Sequence, residues 1–162
     1  SSAGDRPVAG FDVSLQPLLL VALADGALHQ RVARKLREAH LHFISVFRTD
    51  EAMVIHHAVG EQIVGVVTEH RKHSSVDGLS FLSALKEQGR ALPALLIGSD
   101  VRWSETQSGT RLPAGSNYLP SPFSDAAFSS RMEAVRDWVS VASVIRSDPI
   151  AGKNKPRGQL LG

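Results

Sequence analysis

Glu69 is followed directly by His70, Arg71 and Lys72, with His73 next and Asp77 closing the stretch. Imidazole and carboxylate are good zinc ligands, so Glu69, His70 and His73 invite a metal reading. Arg71 and Lys72 beside them oppose a cation, and spacing along a loop does not diagnose a site. No metal is therefore expected. The stretch offers no obvious nucleophile, and no Gly-x-Ser-x-Gly elbow occurs in the chain. Ala151-Gly152-Lys153 is the nearest approach to a phosphate loop, and it lacks the preceding glycine and strand. The chain is expected to be neither an enzyme nor a cofactor carrier.

The elements around this stretch explain where it stands. Val64 to Thr68 is a short apolar strand, and a helix opens at Asp77-Gly78, so the polar residues occupy the loop beyond a strand's carboxyl end. In an open α/β sheet that is where ligands and chemistry sit. Pro17 to Leu23 is a continuous apolar run, typical of a parallel strand buried on both faces. Leu28, Val32, Ala33, Leu36 and Ala39 then recur at helical spacing. Leu41 to Phe47 predicts a second strand, and Thr49 can cap a helix from Asp50 to Val59. On that helix His56 and His57 point different ways, one expected buried and one exposed. The helix from Asp77 reaches about Gln88, with Gly89 as its C-terminal cap. Leu92 to Ile97 and Asn117 to Leu119 predict the fourth and fifth strands. A last helix opens at Ser124 or Asp125 and runs to about Ser143. Residues 99–116 carry Gly109, Pro113 and Gly115 without an apolar stripe, which predicts an irregular or shortened fourth helix.

Strand and helix alternating in this way predict an α/β fold: a flavodoxin-like, doubly wound, five-stranded parallel sheet in the order 2-1-3-4-5. Residues 1–15 read as a flexible arm, 16–144 as the domain, and 145–162 as a basic linker toward a missing output module. Apolar residues make up 43% of the 162 positions, which suits one folded domain. There are no cysteines, so disulfides and thiolate chemistry are excluded. A net charge of +2 is too small to imply nucleic-acid binding. No signal or membrane-spanning segment is legible, and a cytoplasmic protein is expected.

Several positions resemble the receiver domain of bacterial response regulators across about residues 17–143. They are the first strand with its polar turn, Asp77-Gly78-Leu79 at a helix start, Leu92-Pro93 before a strand, and Tyr118-Leu119-Pro120-Ser121-Pro122-Phe123 after the fifth. The resemblance implies that Tyr118 is the switch aromatic and that the Ser121-Pro122 bond is cis. It also shows what is missing. The two acids that would hold Mg²⁺ fall on Leu23 and Ala24, with Asp25 just beyond. The phosphoacceptor falls on Glu69, the hydroxyl position on Gly98, and the lysine on Ser121. Phosphoryl transfer depends on positioning and on neutralisation by metal and cation, so this pocket reads as degenerate. Glu69 reads as a solvated loop carboxylate rather than a permanent mimic of the phosphorylated state.

The implied function is that of a phosphorylation-independent receiver-like domain, a pseudo-receiver acting through protein contacts in two-component signalling or transcription control. Self-association as a dimer, or contact with its own output domain, would use Arg31, Arg34 and Lys35 on the first helix, or Phe128 and Trp138 on the last. Gln159-Leu160-Leu161-Gly162 and Leu95-Leu96-Ile97-Gly98 are similar to segments of enhancer-binding, flagellar-regulator-like activators. The competing readings are a small-molecule sensor or enzyme on the same fold, and a conventional receiver using Asp25 and Asp77.

Overall fold

The computed structural model describes residues 16–70, 76–99 and 112–147. Five strands form one parallel sheet in the order β2-β1-β3-β4-β5. They are β1 (Leu18–Ala22), β2 (Phe43–Val46), β3 (Ile63–Glu69), β4 (Ala94–Gly98) and β5 (Asn117–Pro120). Helices α1 (Gly26–Glu38), α2 (Thr49–Val59), α3 (Gly78–Glu87) and α4 (Asp125–Ser147) fill the connections. The segment expected to form the irregular helix before β5 lies outside the described residues as far as Arg111. From Leu112 to Ser116 the chain makes a turn, closed by the Ser116 amide on the Pro113 carbonyl at 3.2 Å.

Strand alternation divides the core between the two faces. Leu19 and Val21 of β1 and Leu23 just beyond it, with Val67, Leu95 and Ile97, meet Val32 and Leu36 of α1 and Phe128, Met132 and Val135 of α4. Leu20 and Ala22, with Val66, Ala94 and Leu96, meet Ala52 of α2 and Leu79, Leu82 and Leu85 of α3. Burial on both sides explains the uninterrupted apolar run of β1, which a half-exposed strand would not have. Each fully buried leucine contributes about 1.5–3 kcal/mol relative to exposure.

Local chemistry sets the ends of these elements. Asp25 caps α1 by accepting the Leu28 amide at 2.9 Å, and Asp77 caps α3 by accepting the Ser80 amide at 3.2 Å. Gly89 takes φ +82° just beyond α3, the left-handed conformation that glycine adopts without penalty. Thr49 does not cap α2. Arg48 occupies the cap position without a side-chain bond, and Thr49 is the first helical residue. The last helix continues to Ser147, one turn past its expected end. Nothing between Ser143 and Ser147 disfavours helix, and Pro149 restricts only the residue before it. His56 is buried and His57 exposed, as the helical spacing required.

Two glycines are fixed by close approach. A Cβ on Gly65 would lie 2.4 Å from the Trp138 ring, and one on Gly78 would lie 2.6 Å from the Glu69 carbonyl oxygen.

Candidate functional site

At the carboxyl end of the sheet a cavity of about 360 Å³ opens between the first turns of α1 and the segment after β5. Asp25, Glu69, Gly98 and Ser121 all line it, so four positions of the expected pocket come together. His70, Ser99, Arg31 and Phe123 complete much of its wall. The Ser121-Pro122 bond is cis, as the resemblance implies, and the Ser121 amide donates to the Gly98 carbonyl at 3.1 Å. Tyr118 is half-buried, packs against the core on the α2–α3 face, and presents its carbonyl to Arg131 Nε at 2.6 Å.

Glu69 is not a solvated loop residue. It is the last residue of β3, paired with Ile97 of β4, and only 2% exposed. Its Oε1 accepts the backbone amides of Ala24 at 2.9 Å and Asp25 at 3.2 Å. The strand extends this far because the ladder to β4 continues: the His70 amide still donates to the Ile97 carbonyl at 2.9 Å. The carboxylate then reaches the amide groups just before α1, where donors and the helix dipole favour negative charge.

Leu23 does not face the pocket. It is fully buried in the core between the sheet, α1 and α4, and Ala24 contributes a backbone N–H rather than a side chain. A hard divalent cation such as Mg²⁺ needs converging oxygen ligands. Here the two places that would supply them present an alkyl group and a donor, and the amides bind Glu69 instead. The carboxylates left in the cavity wall are those of Asp25, which caps α1, and Glu69, which is held by two amides. Among the described residues no group of three or more acids or histidines converges as a metal site would.

Asp77 stands apart from the cavity wall. Its Oδ1 lies 3.1 Å from His70 Nδ1 and its Oδ2 accepts the Ser80 hydroxyl at 2.9 Å. Burial acts to raise its pKa, but the Ser80 amide and hydroxyl together with His70 outweigh it and hold the carboxyl below the ordinary range.

The proposed contact residues divide. Arg31 braces α1 against the start of α4 at the surface: its guanidinium pairs with Asp125 and lies 4.4 Å from the Phe128 ring centroid and 5.2 Å from that of Phe123. Phe128 is 4% exposed and belongs to the core, because α4 turns that face onto the sheet. Trp138 packs onto Gly65 and its indole N–H donates to the Gly115 carbonyl at 3.2 Å. Arg34 is exposed, and Lys35 lines a shallow groove beside Glu133 and Arg136 of α4. The exposed apolar residues of α4 are Val141, Val144 and Ile145, at 58%, 65% and 45%.

Sequence reasoning missed the Ala24 and Asp25 amides, which carry no side-chain signal, and His29, whose buried ring reaches the Leu23 carbonyl at 2.9 Å and stacks on Phe47. The place of Arg31 on the cavity wall, though not its partners, had a signal. Asp25, Leu28 and Arg31 follow one another at a helical spacing that aligns them along one side of α1.

No protein-family model matches the chain, and no curated relative does. Solved structures do. The signal receiver domain of an HD domain-containing protein from Pseudomonas fluorescens Pf-5 superposes with TM-score 0.62 at 16% identity, covering 86% of this chain and 98% of that one. A response regulator receiver protein from Sinorhizobium medicae WSM419 gives 0.61 at 22% identity, covering 78% and 96%. The chemotaxis protein CheY4 of Vibrio cholerae gives 0.58 at 17% identity, covering 74% and 98%. No helix among the described residues is long and apolar enough to cross a membrane. The chain therefore has the fold of response-regulator receiver domains.

Proposed function

We propose that this chain is a regulatory domain of the receiver type that works without phosphorylation, through protein–protein contacts in bacterial signalling. The observation that carries this reading is the Glu69 carboxylate seated on the Ala24 and Asp25 amides. The anion at the end of β3 has its counterpart in backbone donors and needs no metal. Ser121 brings no cation to the opposite wall, and Arg31 is engaged by Asp125 and two phenyl rings. Asp25 and Asp77 do not restore a conventional acceptor site, since each caps a helix and Asp77 lies outside the cavity wall. Contacts to a partner or a second copy would use the surface of Arg34 and Lys35 or the exposed end of α4. Exposure of the protein to Mg²⁺ and a small phosphodonor is expected to leave its intact mass and association state unchanged. A Mg²⁺-dependent gain of one phosphoryl group, mapped between Glu69 and Asp77, would overturn the reading.

A small-molecule sensor is the second reading, favoured by the cavity itself, with Leu28, Ile97 and Phe123 as its apolar wall. Native mass spectrometry showing a retained organic ligand that Phe123→Ala abolishes would support it.

A further inference from the structure

Two histidines are buried among the described residues, and they differ in one respect. His29 has the Leu23 carbonyl at Nδ1, whereas His56 has no hydrogen-bond partner at either ring nitrogen. His56 is 7% exposed and sits in the last turn of α2, with its ring against Gly60. A Cβ on Gly60 would come within 3.3 Å of Nε2. The junction that follows, the single 3₁₀ turn Gly60–Gln62, leads straight into β3.

Arg90, just beyond α3, reaches into the same junction. Its Nη2 donates to the carbonyls of Gly60 at 2.6 Å and Ile63 at 2.9 Å, so those acceptors are already engaged. Its Nε is also buried without a partner. The charges acting on the His56 ring are those of Arg90 and of His57 on its own helix, both repulsive to a proton. Glu61 on the turn is exposed, and among the described residues no carboxylate forms an ion pair with His56. Burial first, then Arg90 and His57, hold the imidazole below its ordinary range.

We propose that His56 is a proton-operated latch, which keeps the α2–β3 junction closed while its ring is neutral and opens it locally when the ring is protonated. A second N–H and a positive charge would enter a place that offers no acceptor and already holds a guanidinium. The ring must then leave for water, and the last turn of α2 and the Gly60–Gln62 turn must loosen with it. The sign follows from linkage. The folded value lies below the unfolded one, so the closed form is fully held above about pH 6.5 and weakens as pH falls below it. This inference goes beyond the pocket and does not rest on it.

The test is native-state hydrogen exchange on the whole chain at pH 7.5 and 5.5, corrected for intrinsic exchange. Amides of 56–63 are expected to open more at pH 5.5, by up to about tenfold, the ceiling being one tenfold step per pH unit below the ordinary histidine value. Amides of β4 should not change, and His56→Leu should abolish the difference. A direct imidazole titration by NMR in the unmodified protein supplies the second measurement, should that variant fail to fold. A titration of His56 at or above about 6.5, with junction protection unmoved, would overturn the latch. Retention of the full pH response in His56→Leu would do the same.

Discussion

Replacing Glu69 by alanine is the most informative single change in this protein. The carboxylate is 2% exposed and accepts two amides at 2.9 and 3.2 Å. A hydrogen bond to a charged group contributes about 1.5–3 kcal/mol net, and stranding a buried donor costs about 1–3 kcal/mol. Removing the acceptor leaves Ala24 and Asp25 with amides short of one partner each, and it empties space beneath the cavity. The negative charge of Asp25 in the same wall works the other way, because relief of like-charge repulsion returns part of the loss. The expected net cost of Glu69→Ala is about 3–4 kcal/mol, at the severe end for a single substitution. In a domain of this size that lowers Tm by roughly 10 °C. Glu69→Gln keeps an acceptor oxygen of the same reach and is expected to lose only about 1–2 kcal/mol. Urea unfolding supplies the energies, and the Ala24 and Asp25 amide proton shifts supply the location. If Glu69→Ala loses less than about 1 kcal/mol and those two shifts stay in place, the carboxylate does not anchor the loop.

Three further outcomes follow from two neighbouring residues. Gly78→Ala would set a methyl 2.6 Å from the Glu69 carbonyl oxygen and 2.7 Å from Leu96 Cδ1, and is expected to destabilise by about 2–3 kcal/mol, measured by urea unfolding. Asp77→Ala removes the α3 cap and should cost about 1 kcal/mol. The carboxyl of Asp77 is held below its ordinary value of about 3.9, so its contribution is present above that pH and is lost as pH falls through the lower folded value. Its side chain is 51% exposed, so solvent screening keeps that acid dependence small. Asp77→Asn should flatten it in acid-unfolding curves recorded at constant salt.

The sheet order was legible because each strand carries its apolar run and each helix its stripe, with Asp25, Asp77 and Gly89 marking the ends. The core assignment of Val32, Leu36, Leu85, Met132 and Val135 follows from the same periodicity. The pocket was legible as a place but not as a geometry. Glu69 was read one position too far into the loop because a charged residue after Thr68 looks like the end of a strand. What carried the strand onward was the ladder to Ile97 and two amides, and main-chain donors leave no trace in residue types. The contact role offered for Arg31 and Phe128 gave way for a related reason, although the apolar face that holds Phe128 was legible. A helical wheel shows which side is apolar, but it does not show that a cation on its border will lie over phenyl rings from a distant segment. Residues 71–75 and 148–162, where the basic loop and most of the linker expected over 145–162 fall, lie outside the described residues; 145–147 are the end of α4.

The Arg31 brace has a mechanical consequence. It ties the first helix to the base of the last one, through Asp125, Phe123 and Phe128. From Val135, the last fully buried residue of α4, the helix continues to Ser147. At 1.5 Å per residue that is a stretch of about 18 Å. The helix is held both by the brace at its base and by the Trp138 ring seated on Gly65. Val141, Val144 and Ile145 stand beyond both anchors, exposed toward the far end of the helix.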